Sequence, residues 1–148
     1  MEYKDIKYRI GSKSEKGASY LVYIDARTAR SELDSKFGEG YWQFECILGK
    51  DAVQGILKVY NKDLKEWVSY QDVGYNDNTQ EPCKGGVSDA LKRCAVHVGI
   101  GAFLYEAPFL WVSKDGFTKF DTKWPKLNPD AQKILEGNIN KWYLTVKG

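Results

Sequence analysis

Three strand-like runs, separated by breaks too short for anything but turns, constrain this chain most. They are "YWQFECIL" (41–48), "AVQGILKVY" (52–60) and "EWVSYQDVGY" (66–75), parted only by "GKD" and "NKDLK". Their β-branched and aromatic content suits a pleated surface. A parallel crossover takes a dozen or more residues, so breaks of this length leave the antiparallel hairpin. The economical arrangement is a three-stranded meander. Alternation in the last run puts Trp67, Ser69, Gln71, Val73 and Tyr75 on one face and Val68, Tyr70, Asp72 and Gly74 on the other. Neither face is cleanly apolar. That fits a sheet exposing one partly polar face, or an edge that pairs with another subunit.

Helices flank the meander. "SYLVYI" (19–24) reads as a strand. In the following "DARTARSELDSKFG", Asp25 is placed to cap the first turn, Ala26, Ala29, Leu33 and Phe37 share a face, and Gly38 is a natural stop. After a loop at 76–82, the pattern predicts a longer helix from Cys83 or Gly86 to Val98. Val87, Ala90, Leu91, Cys94, Ala95 and Val98 form its apolar face, Ser88, Asp89, Lys92 and Arg93 lie on the other side, and Gly99 and Gly101 end it. "NPDAQKILEGNINKWYL" starts a last helix, with Asn128 as N-cap, Pro129 at the first position and a face of Ala131, Ile134, Leu135, Ile139 and Trp142. The order β-α-β-β-β-α-(α) is α+β: an antiparallel β-meander packed on a long amphipathic helix. At 148 residues the chain reads as a single domain, with a core at about 19–110 and a C-terminal extension at 111–148.

Composition excludes more than it assigns. Cys46, Cys83 and Cys94 are odd in number and far apart, which rules out a disulfide framework among them, and Cys46 and Cys94 read as small buried hydrophobes. There is no apolar run of 18 residues and "MEYKDIKYRI" is no signal peptide, so the expectation is a reducing cytoplasmic setting, nucleoid-associated or in a phage-infected cell. The one histidine, His97, limits any triad or zinc site to itself, and a partly buried structural role suits it. "GKD" lacks the glycine and hydroxyl of a phosphate-cradling loop. Glu45, Asp63, Glu66 and Asp72 are the carboxylates a metal-dependent nuclease would have to bring together, yet the only Glu-x-Lys lies at Glu2–Lys4, and solvated strand edges explain them as well. The residues predict a non-enzyme without metal or cofactor.

Binding has more support. Positive charge gathers at the flanks of an acidic centre: five Lys/Arg against three Asp/Glu in 1–24, seven against four in 111–148, ten against thirteen between. Lys84, Lys92 and Arg93, with Lys4, Lys7, Arg9, Lys13 and Lys16, are the material for a groove that tracks a nucleic-acid backbone, since Lys and Arg neutralise phosphates without reading bases. A merely solvated helix face would look the same.

The blocks "YLVYIDARTARSELDSKFGEGYWQFE", "WVSYQDVGY" and "KGGVSDALKRCAVHVGIGAFLYEAP", in that order, resemble the Rad52-type single-strand annealing family, which includes phage annealing proteins and a DdrA-like branch. The resemblance covers roughly residues 19–110. It implies a β-β-β-α core whose protomers join edge to edge into a homo-oligomeric ring, with single-stranded DNA in an outer basic groove. The implied function is ATP-independent annealing of complementary strands in recombination and DNA repair. Protection of single-stranded ends without annealing and, in another class, a metal-dependent nuclease are the alternatives. The family's backbone contacts fall here on Lys84, Lys92 and Arg93, with Lys13 at the position of a further basic residue. Another family contact falls on Val96, where only the neighbouring His97 is available to substitute.

Overall fold

The computed structural model describes residues 1–76 and 82–147, which form two compact units. One unit is Ile24–Ala102 together with Met1; the other is Glu2–Tyr23 together with Phe103–Gly148. Most of the segment expected as a loop, residues 77–81, lies outside the described residues.

The first unit contains the expected meander. Helix α1 (Ala26–Phe37) starts where Asp25 accepts a hydrogen bond from the Thr28 backbone N–H at 2.9 Å, and stops at Gly38. Strands β3 (Trp42–Leu48), β4 (Ala52–Asn61) and β5 (Glu66–Tyr75) pair antiparallel in the order β3-β4-β5. The register sets Val53, Leu57 and Val59 opposite Gly74, Tyr70 and Val68, so these residues share the face that receives helix α2 (Pro82–Val96). From α2, Ala90, Leu91, Cys94 and Ala95 are buried, as are Ala29 and Leu33 of α1. Fully burying a Leu or Val contributes about 1.5–3 kcal/mol, and this layer holds the unit together. Gly74 permits the fit: a Cβ there would stand 2.2 Å from the Gly86 carbonyl oxygen and 2.4 Å from the Ala90 nitrogen.

Two expectations need correction here. Helix α2 ends at Val96, not Val98, because the last N–H groups of the segment turn back three residues: His97 to Cys94, Val98 to Ala95 and Gly99 to Val96. Gly99, at φ 87, then lets the chain leave. Cys46 is exposed while Cys94 is buried. The far end of edge strand β3 has Cys46, Ile47 and Leu48 all exposed, whatever face each side chain takes.

The second unit is one the sequence pattern barely announced. Strand β1 (Lys7–Ser14) forms a hairpin with β2 (Gly17–Tyr23), and β2 pairs antiparallel with β6 (Leu110–Ser113). A register shift between Ile10 and Ser12 marks a bulge in β1. A two-residue ribbon, β7 (Phe117–Thr118) with β8 (Lys126–Leu127), follows, and helix α3 (Pro129–Lys147) ends the chain. Asn128 caps α3 as expected, accepting from the Ala131 backbone at 2.9 Å. Its buried face is Leu135, Ile139 and Tyr143, spaced at i, i+4 and i+8. Ile134, expected on that face, is 66% exposed. The Tyr3 hydroxyl donates to the Glu136 carbonyl at 2.9 Å and the Tyr8 hydroxyl to Glu136 Oε1 at 2.7 Å.

Candidate nucleic-acid interface

The close seat of α2 on β5 brings the helix's polar residues against one strand. Asp89 and Arg93, one turn apart, form the first group. Asp89 Oδ2 accepts from the Tyr75 backbone N–H at 3.2 Å and from Arg93 Nε at 3.1 Å, and the Arg93 guanidinium lies 5.9 Å from the Tyr75 ring centroid. One turn further, His97 Nε2 stands 2.9 Å from Asp72 Oδ2, and its ring stacks on Tyr70 at 6.1 Å and 21°. The Val73 backbone N–H, 2.7 Å from Asp72 Oδ1, is the main influence holding the Asp72 carboxyl below the usual carboxylate range, with His97 and Arg93 acting in the same direction.

Lys84 is exposed in the first turn of α2, Lys92 is half-buried and Arg93 is exposed. Eight residues separate the two lysines, about 12 Å along a helix axis. Val96, four residues beyond Lys92, stands half-buried and uncharged in the same polar stripe. Four of the five expected contacts, Lys84, Lys92, Arg93 and His97, therefore belong to one short segment of one unit, and two of them rest on β5 carboxylates or the Asp89 carboxylate that β5 positions.

Lys13 belongs to the other unit. Its ammonium donates to the backbone carbonyls of Phe120 and of Thr122, the latter at 2.8 Å, and lies 4.5 Å from the Phe120 ring centroid. Residue spacing could not reveal this, because the partners are more than a hundred positions away. Asp72, Asp89, Tyr70 and Tyr75 are the members of the site that the sequence reading did not assign to it. For Asp89 a signal existed: an acid four residues before Arg93 on a helix is the favourable ion-pair spacing.

The carboxylates considered for a nuclease are not brought together. Glu45 pairs across β4 with Ile56 and β5 Gln71, on the face away from α2, and binds Lys58 at 3.2 Å. Asp72 is on the opposite face with His97, and Glu66 pairs with Asn61 at the other end of β5. Among the described residues, no group of three His, Cys, Asp or Glu side chains is placed to hold a metal ion.

Residues 1–120 match the sequence profile described as Rad52/22 family double-strand break repair protein. The chain belongs to the Rad52/22 family. It is similar to the single-stranded DNA-binding protein DdrA of Deinococcus deserti, 36% identical over 135 residues that cover 85% of this chain and 64% of that protein. It is also similar to DdrA of Deinococcus radiodurans, 31% identical over 128 residues, 81% of this chain and 59% of the relative. The chain thus spans about three fifths of the length of these curated relatives. Within this Rad52/22 family member, Lys13 and the whole α2 group fall inside the matched segment, while α3 and residues 121–128 before it fall beyond residue 120.

Proposed function

We propose that this chain binds single-stranded DNA along the polar side of α2 and promotes annealing of complementary strands, without nucleotide or metal. The observation that carries the reading is that the family match runs through the segment where Lys84, Lys92 and Arg93 stand on one helix and His97 on the turn that ends it. Annealing breaks no covalent bond. The protein must hold a strand by its phosphates, leave the base edges available, and release once duplex stacking replaces its own contacts. Lysine and arginine on a rigid helix meet that need, since each contact neutralises a phosphate and releases a counterion without reading sequence. The similarity to single-stranded DNA-binding proteins of Deinococcus supports the ligand class.

In this proposal the protomers form a homo-oligomeric ring, joined through the two open edges of the meander, β3 and β5. Both edges carry exposed apolar side chains: Ile47 and Leu48 on β3, Trp67, Val73 and Tyr75 on β5. A ring multiplies weak phosphate contacts by avidity. No helix among the described residues is long and apolar enough to cross a membrane.

Native mass measurement with and without a short oligonucleotide, combined with a strand-annealing assay using complementary oligonucleotides, tests the reading. The expected result is a multimer that binds the oligonucleotide and accelerates pairing with no nucleotide added. Binding without faster pairing replaces annealing by end protection. Degradation of labelled DNA with magnesium, abolished by Asp72→Asn, replaces it by a nuclease. No binding at low salt overturns it.

A further inference from the structure

The loop at residues 119–125 of the second unit is built to display one tryptophan. The β7–β8 ribbon closes its base, pairing Phe117 with Leu127 and Thr118 with Lys126. Phe120 and Pro125 turn inward and are buried. Lys119 adopts the left-handed region at φ 54, and its carbonyl accepts from both the backbone N–H and the hydroxyl of Thr122, at 3.2 and 2.9 Å. A non-glycine residue keeps that conformation only where its surroundings hold it. The principal clasp is Lys13, whose ammonium bonds the Phe120 and Thr122 carbonyls and lies over the Phe120 ring. From this braced loop Trp124 projects, 77% exposed, the most exposed of the five tryptophans. Lys119, Lys123 and Lys126 are all exposed around it, with Asp121 the one acid in the loop, and Lys123 Nζ lies 5.7 Å from the Trp124 ring centroid.

We propose that this loop is a further contact for single-stranded nucleic acid, in which an unpaired base stacks on Trp124 while Lys119, Lys123 and Lys126 neutralise the adjoining phosphates. Lys13 is the positioning residue that holds the loop in this form. The proposal rests on the strand-binding reading above and adds to it a site outside α2, whose Trp124, Lys123 and Lys126 lie beyond the matched family segment. A nucleotide has both a π-face for the ring and a phosphate for the ammonium groups, whereas an acidic peptide answers the lysines alone and a bilayer calls for more apolar surface than one side chain. Because the loop is already braced, binding orders little that was loose, which favours affinity.

The test compares binding of an oligothymidylate with that of an abasic oligonucleotide of the same length, at one salt concentration. Trp124→Ala is expected to weaken oligothymidylate binding about tenfold and to leave abasic binding unchanged, while Trp124→Tyr, which keeps a stacking ring, retains most of the affinity. Oligothymidylate should quench wild-type tryptophan fluorescence by an increment that Trp124→Ala lacks. Lys13→Met is expected to lose the same base-dependent component and Lys13→Arg to keep it. Equal binding of both strands by wild type and Trp124→Ala overturns the proposal. Equal weakening of both strands by Lys13→Met overturns the positioning role, making Lys13 a phosphate contact. If wild type binds neither strand, the strand-binding reading fails first and this inference with it.

Discussion

The two units differ in how they carry positive charge. Residues 24–102, which hold α2, have ten Lys/Arg against twelve Asp/Glu; the residues of the other unit have twelve against eight. The acidic unit nevertheless holds four of the five residues the family resemblance assigns to DNA, all but Lys13, and there cations and carboxylates are matched: Arg93 with Asp89, His97 with Asp72, Lys58 with Glu45. The basic unit instead carries lysines on an exposed loop around Trp124. An overall excess of charge steers a polyanion from a distance, while a few oriented cations fix where it settles. Net charge alone points to the other unit.

The largest expected effect tests whether α2 is held by its apolar face independently of its charges. Leu91→Ala removes a side chain buried between helix and sheet and should cost about 2–5 kcal/mol in urea unfolding. A loss of strand binding without any loss of stability would break that separation. Next comes the anchor of β1 on α3. Tyr8→Phe removes the hydroxyl bonded to Glu136 and should cost about 1 kcal/mol. Burial, then the Glu136 hydrogen bond, push the Tyr8 hydroxyl up to about 12 from its ordinary 10. Its stabilisation is therefore complete below pH 10 and disappears as pH rises toward 12, a dependence the Phe variant should lack. Glu136 runs the other way. Hydrogen bonds from Gln132 and Tyr8 hold its carboxyl below the ordinary value, so its contribution is present above that value and fades as pH falls through the lowered one.

The smallest effect has the opposite sign. Gly137 sits within α3 with nothing near the position of an added Cβ, so Gly137→Ala should stabilise by about 0.5–1 kcal/mol in the same unfolding measurement. Gly74→Ala, where the Cβ would strike α2 backbone, should destabilise; equal effects at the two glycines would contradict the packing described.

The meander and both long helices were legible because their signals are local. Alternation set the faces of β5, Asp25 and Asn128 set helix starts, and breaks of three and five residues set the hairpins. The second sheet was not legible in the same way. β1 is exposed along most of its length and β6 has four residues, so neither shows a buried periodicity, and β2 pairs with a strand nearly a hundred residues away. At the candidate site, Lys84, Lys92, Arg93 and His97 could be grouped from the sequence because they lie within fourteen positions, on α2 and the turn that follows it. Lys13 illustrates the limit: a residue type and spacing suited to phosphate, whose two carbonyl partners only the folded chain supplies.

The central claim, that strands are held by cations on α2, is tested most directly by the salt dependence of oligonucleotide binding in Lys92→Ala/Arg93→Ala beside wild type. Each phosphate contact on a single strand contributes about 0.7 to the slope of log affinity against log salt. The account predicts a folded double variant that binds more weakly at every sequence, with the slope reduced by about 1.4. A double variant with unchanged affinity and unchanged slope would contradict it.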